Sequence, residues 1–263
     1  MIRIREKQLG EIEQALALEL FEDEMMGHVH AFAPRHAAVI GDAGVRRVVA
    51  LAVERARAHG VTNPGFLRFH VELMFMLGGL FDTDPAQPWA GEILRDPSLP
   101  DQAARIDRLY DATLLYLDAV EGPAGVYSVE AMRRLLDLVR DSAATAELRF
   151  EERALGIMER IYPQRCAYVG GAPLRELVRR AVAEATRLDV ATDVGTGLVV
   201  GLMFGMGHGF ADDPLFPWVQ ATLRDPAIKT RERRVARLQK RVEIYVDRAL
   251  QHLEERSLAD GQG

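Results

Sequence analysis

The sequence predicts an all-α fold: a tandem duplication of a roughly five-helix unit packed about a pseudo-twofold axis. Three observations carry that prediction. Sliding the sequence on itself by 129 positions matches 13 of the 25 residues in Leu73–Pro97 against Leu202–Pro226. The match runs ungapped from Phe21 against Phe150 to Val120 against Ala249, with 32 of 100 pairs identical, an internal repeat that constrains architecture before any other signal. Apolar residues recur mostly at spacings of three and four, the helical period. No window alternates with period two for the length of a strand. The expected organisation is a first repeat unit over residues 1–121 and a linker with the start of a long helix over 122–140. A second unit follows over 141–256, and a disordered tail over 257–263.

About ten helices follow in order. The first spans Arg5–Ala31, and the second Asp42–His59, with Asp42 available to cap the exposed amides. Asn63-Pro64 opens the third, a cap followed by proline at the first helical position, and it runs to about Gly78. The proline-rich loop Phe81–Pro88 leads to a short helix ended by Asp96-Pro97, then a longer one over Asp101–Val120. After Gly122–Gly125, the clearest linker, Ser128 is placed to cap a long helix reaching Ile161. The order then repeats with Leu174–Leu188, Val194–Gly207, Pro217–Leu223 and Thr230–Glu255. The third helix of each copy is apolar nearly all round, which marks central burial and makes the pair the best candidate for a shared surface.

Composition narrows the class of function. A net charge of −6 argues against general nucleic-acid binding, which needs a basic excess. One cysteine, Cys166, excludes an intramolecular disulfide and fits a buried thiol in a reducing compartment. The opening MIRIREKQLGEIEQ has no apolar core for a signal peptide, and Val194–Phe210 is too short to span a bilayer. The expectation is a cytoplasmic protein with no nucleic-acid or membrane partner.

The repeated loop is the most specific local signal: Phe81-Asp82-Thr83-Asp84-Pro85, then Pro88-Trp89, against Phe210-Ala211-Asp212-Asp213-Pro214, then Pro217-Trp218. Asp82 and Asp84 could form a metal or acid–base pair, but Asp82 becomes Ala211 in the second copy. An Asp-Pro step followed by Pro-Trp supplies an acceptor oxygen, a fixed φ and a large aromatic anchor, which a tight turn into a helix requires. Asp84, Pro85, Trp89, Asp213, Pro214 and Trp218 are therefore expected to be a structural motif, with both tryptophans in the core.

Five histidines crowd the first copy: His28, His30, His36, His59 and His70. His28 and His30 point roughly 200° apart on a helix, whereas a helical zinc pair needs i,i+4 spacing, so a metal site is open only for copy one. His208 stands among glycines without an evident partner. Gly197, Gly201, Gly205 and Gly209 form a stripe that suits close helix packing within the chain, or else a partner-binding groove. Lys229–Arg241 holds seven basic residues against Glu232 alone, while residues 8 to 24 carry Glu11, Glu13, Glu19, Glu22, Asp23 and Glu24 with no lysine or arginine. Each block reads as a solvated face or an electrostatic docking surface, and Arg233, Arg237, Lys240 and Arg241 are the candidate partner-binding residues. No lipase elbow, paired Cys-x-x-Cys, zincin helix or Walker loop occurs. No catalytic residue, cofactor or metal is expected, and the protein is read as not an enzyme.

The opening IRIREKQLG, the block FEDEMMGHVHAFAPRHAAVIGDAGVRRVVALAVERARAHGV and LMFMLGGLFDTDPAQPW together resemble a group of uncharacterised bacterial proteins. These are encoded beside type VI secretion effectors and their spike or adaptor genes. Such relatives typically carry the unit once, whereas here FEERALGIMERIYPQRCAYVGGAPLRELVRRAVAEA begins a second, more divergent copy. The resemblance implies a protein partner, a secreted effector or toxin encoded nearby. The implied role is a chaperone, co-chaperone or loading adaptor, with an immunity protein that inhibits a toxin as the alternative. It carries over no ligand residues, and homo-oligomerisation is open.

Overall fold

The computed structural model describes the backbone of residues 6–140 and 149–260, and the side chains of 18–140 and 149–253. Among these residues the chain is all helical, with twelve α-helices, two 3-10 turns and no strand. In order these are α1 (Glu6–Phe32), α2 (Pro34–Ala58), α3 (Pro64–Leu77), α4 (Pro88–Arg95), α5 (Gln102–Val120) and α6 (Val126–Arg140). Then come α7 (Phe150–Ile161), α8 (Pro163–Val169), α9 (Gly171–Arg187), α10 (Asp193–Met206), α11 (Pro217–Leu223) and α12 (Arg231–Asp260).

The helix starts follow local chemistry. Asn63 and Asp101 accept the amides of Gly65 and Ala104, capping α3 and α5. Thr192 does the same for α10 through Gly195. Proline occupies the first turn of α2, α3, α4 and α8, where its missing N–H costs nothing.

Several boundaries differ from expectation. The second helix starts eight residues early, at Pro34, and is broken at Gly41, whose φ of 66° and ψ of 169° only glycine adopts readily. Asp42 follows that break and binds His30 at 3.1 Å. Gly170, 129 positions on, takes the same conformation (φ 83°, ψ 160°) between α8 and α9. The long helix expected from Ser128 to Ile161 is instead two, α6 and α7, and residues 141–148 lie outside the described residues. Ser128 caps nothing. It sits inside α6, where its hydroxyl donates to Glu121 and lies 2.7 Å from the Tyr162 hydroxyl. Tyr162, in turn, donates to the Val120 carbonyl at 2.9 Å. Helix α12 continues to Asp260, and the remainder of the expected tail lies outside the described residues.

The chain divides into two compact units. The first comprises Met1–Gly79 with Asp212–Pro217. Here α1 packs on α2 and α2 on α3, around Met25, Val29, Val45, Val49, Leu73 and Met74, with Leu215 and Phe216 also buried. The second comprises Leu80–Ala211 with Trp218–Gly263. Within it α4 lies on α5, α5 on α8, α9 on α10 and α6 on α12, and the fully buried Phe81, Leu109, Leu177, Phe210 and Leu238 fill its interior. No described helix is long and apolar enough to cross a membrane.

Candidate functional site

The repeated loops are built around two buried carboxylates, and each carboxylate is used in the same way. Asp84 accepts the amide of Ala86 in its own turn at 2.7 Å and the amide of His208 at 2.8 Å. Asp213 accepts the amide of Leu215 at 2.9 Å and that of Gly79 at 2.7 Å. Residues 79 and 208, 84 and 213, and 86 and 215 are each 129 positions apart, so the four bonds form a reciprocal set. With both oxygens held by backbone amides, each carboxylate ties its own turn to a second segment of the chain. Burial pushes the Asp213 carboxyl above the usual range, against the opposing pull of the Leu215 and Gly79 amides and of His36.

Beside the first loop lies a cleft of about 190 Å³ lined by Asp82, Asp84, Gln87, Gly91, Glu92 and Arg95. It falls short of the roughly 300 Å³ that ordinary ligand pockets begin at. Arg95 donates to the Asp82 carbonyl at 3.3 Å, and a Cβ on Gly91 would lie 2.5 Å from that same oxygen. The glycine thus lets α4 close onto the turn. The counterparts of Asp82 and Gly91 are Ala211 and Gln220, so these lining residues are not repeated.

Trp89 and Trp218 are half-buried, not fully enclosed as expected of core anchors. Trp89 leans on Tyr116 at 5.7 Å and Trp218 stacks on Tyr245 at 5.4 Å. Both indole Nε1 atoms are buried without a hydrogen-bond acceptor among the described residues. The fully enclosed aromatic of each loop is Phe81 or Phe210. Pro85 is buried and Pro214 half-buried.

The histidines of the first copy disperse. His28 meets Glu72 at 2.8 Å, His30 meets Asp42, and His36 Nε2 contacts the Leu215 carbonyl at 2.9 Å. His70 is fully buried in α3. Among the described residues no group of three His, Cys, Asp or Glu side chains is placed to hold a metal ion. His208, which has no partner in the sequence reading, lies against Asp84, with Nδ1 3.6 Å from Oδ2. Cys166 is buried, and desolvation followed by the nearby Glu159 pushes its thiol up to about 12. Neighbouring Arg165 is also buried, its guanidinium 4.9 Å from the Phe204 ring centre. His36 and Phe75, 129 positions earlier, make the corresponding edge contact at 5.4 Å.

The glycine stripe of α10 does not pack as expected. A Cβ on Gly197, Gly201 or Gly205 would meet nothing within 4 Å, and only Gly209 is tight, against Leu80. The residue that brings α10 close to its neighbours is Gly195, where a Cβ would lie 2.0 Å from the Val190 carbonyl and 2.8 Å from Val235.

The basic run separates into two groups. Arg231 and Arg234 both pair with Asp189, at 2.9 and 2.6 Å. Asp189 holds a left-handed conformation at φ 53° just after α9, and its bond from Arg231 holds its carboxyl below the usual range. Lys240 pairs with Glu243 at 2.8 Å while its side chain remains 63% exposed. Arg233, Arg237 and Arg241 are exposed, one turn apart, and take part in no ion pair among the described residues. Of the acidic block, Glu19, Asp23 and Glu24 are exposed, with Asp23 paired to Arg46 at 3.0 Å. The side chains of Glu11 and Glu13 lie outside those described.

Compared with family models, curated proteins and solved structures, the chain matches none of them.

Proposed function

We propose that this chain is a cytoplasmic, non-catalytic binding protein, a chaperone, co-chaperone or loading adaptor for a type VI secretion effector encoded nearby. One observation carries the reading: the row Arg233, Arg237 and Arg241, with Lys240 beside it, on the exposed side of α12. Seven positive charges near a helix start repel one another and oppose the helix dipole. Asp189 offsets that for Arg231 and Arg234, while the outer row keeps its charge toward solvent. Such a row suits an acidic surface on a protein partner. The net charge of −6 disfavours nucleic acid as that partner.

The two Asp-Pro loops support a duplicated architecture whose copies meet through the same surface used twice. Each carboxylate accepts one amide from its own copy and one from the other. Helix starts Pro34 and Pro163, Pro64 and Asp193, and Gln102 and Arg231 recur at the same offset of 129. The helical breaks at Gly41 and Gly170 do so as well.

The test is charge reversal. A protein carrying Arg233→Glu, Arg237→Glu and Arg241→Glu should keep its helicity and melting temperature, because these side chains form no ion pair among the described residues. It should fail to capture the products of neighbouring genes that the unaltered chain captures. Unchanged capture would remove the basic row from the function. A captured effector that remains active identifies an adaptor, and one that is silenced identifies an immunity protein.

A further inference from the structure

Helices α5 and α12 begin 129 positions apart, and each carries the tyrosine that meets a loop tryptophan. They differ in what lies along one side. On α12 that side holds Gln239, Glu243 and Asp247, and α6 lies against it. Gln239 donates to the Val139 carbonyl at 3.1 Å, and Arg140 reaches Glu243 at 3.6 Å and Asp247 at 2.9 Å. The corresponding positions of α5 are Tyr110, Leu114 and Asp118. Here Leu114 is 45% exposed and the adjoining Leu115 64%. Asp107, Asp111 and Asp118 are exposed along the same side. Contiguous apolar surface rimmed by charge marks an interaction face, and Asp118 keeps the acid that on α12 receives the arginine of α6.

We infer that this side of α5 docks an amphipathic helix of a partner protein, one with an apolar ridge for Leu114 and Leu115 and basic residues for Asp107, Asp111 and Asp118. Two observations choose that occupant. Three exposed carboxylates against the single exposed Arg108 favour a basic complement. The matching side of α12 is covered by such a helix: α6 buries Ala131 and Leu136 and presents Arg140 to the acids. Recognition is then the helix-in-groove kind, read through anchors three and four residues apart. The inference rests on the reading of the chain as a binding protein but uses a different surface from the arginine row.

A labelled peptide of residues 126–140, VYSVEAMRRLLDLVR, titrated with the full chain and followed by fluorescence anisotropy, tests it. Saturable binding is expected, weakened about tenfold or more by Leu114→Asp and by Asp118→Arg, with the melting curves of both variants unchanged. A peptide carrying Arg140→Glu should recover binding to the Asp118→Arg protein. The triple reversal on α12 should bind the peptide like the unaltered chain, which keeps failure of the α12 reading distinct from failure of this one. Absence of saturable binding, or binding indifferent to both α5 substitutions, overturns the inference. Concentration-dependent dimerisation abolished by Leu114→Asp would also overturn it, by making the occupant a second copy of this chain.

Discussion

Gly195 and Gly197 stand two positions apart in α10 and should respond to alanine in opposite directions. A methyl group on Gly195 would collide with the Val190 carbonyl and with Val235, so α10 must shift, at a cost of about 1–3 kcal/mol. On Gly197 the same group enters open space, and removing glycine from a helix interior gains about 1 kcal/mol. Thermal denaturation should show Gly195→Ala melting lower and Gly197→Ala melting about 2–4 °C higher. A Gly197→Ala protein that melts lower would restore a packing role to the stripe. Asp213 gives a second residue-scale expectation. Its folded carboxyl titrates above the ordinary value of 3.8 because burial outweighs its two amide donors. The folded state therefore binds the proton more tightly than the unfolded chain, and this residue's contribution to stability falls as pH rises from 3.8 through the folded pKa. Carboxyl-carbon NMR should place its midpoint above 3.8, and Asp213→Asn should remove that part of the pH slope. A midpoint at or below 3.8 would mean the amides of Gly79 and Leu215 outweigh burial.

At the scale of elements, the starts of α3 and α5 were legible, whereas the proline starts at Pro34 and Pro163 and the breaks produced by backbone conformation were not. Asn63 caps α3 where its sequence position indicates, and α5 starts one residue after the expected Asp101. Pro163 and Gly170 bracket α8 with equally good signals, but a seven-residue helix carries too little periodicity to stand out. Ser128 misleads because a serine after a Gly-Pro linker reads as a cap, whereas tertiary contacts with Glu121 and Tyr162 claim its hydroxyl. The bonds that Asp84 and Asp213 accept within their own turns follow from the Asp-Pro motif. Their reach to residues 208 and 79 does not, since no local pattern records a contact across more than a hundred positions. The tryptophans illustrate the same limit: the motif indicates an aromatic anchor, and only the fold shows Trp89 half-exposed on Tyr116. Trp89→Ala should loosen α4 from α5 at a cost of about 3 kcal/mol, the low end for removing a large aromatic. Chemical denaturation measures it, and a variant melting within about a degree of the unaltered chain, well under the shift such a loss implies, would contradict the anchor.

For the whole molecule, the internal sequence similarity suggests cutting the chain at its midpoint, and the compact units argue against the result being two independent domains. The first unit takes Asp212–Pro217 from the C-terminal half of the chain. A fragment of residues 1–121 therefore lacks Asp213, whose carboxylate holds the Gly79 amide, and lacks Leu215 and Phe216, which are 2% and 8% exposed. It also lacks the carbonyl that His36 contacts. Losing two buried apolar side chains removes about 3–6 kcal/mol of burial, comparable with the whole stability of an ordinary domain. The fragment should be largely unfolded or aggregated when expressed alone. Co-expression with residues 122–263 should return it to soluble, helical form, because the second fragment carries the missing segment. Circular dichroism and co-purification of the two fragments decide the matter. A fragment of residues 1–121 that melts cooperatively at the temperature of the intact chain would show that the borrowed segment is dispensable, and the first copy would then be a domain in its own right.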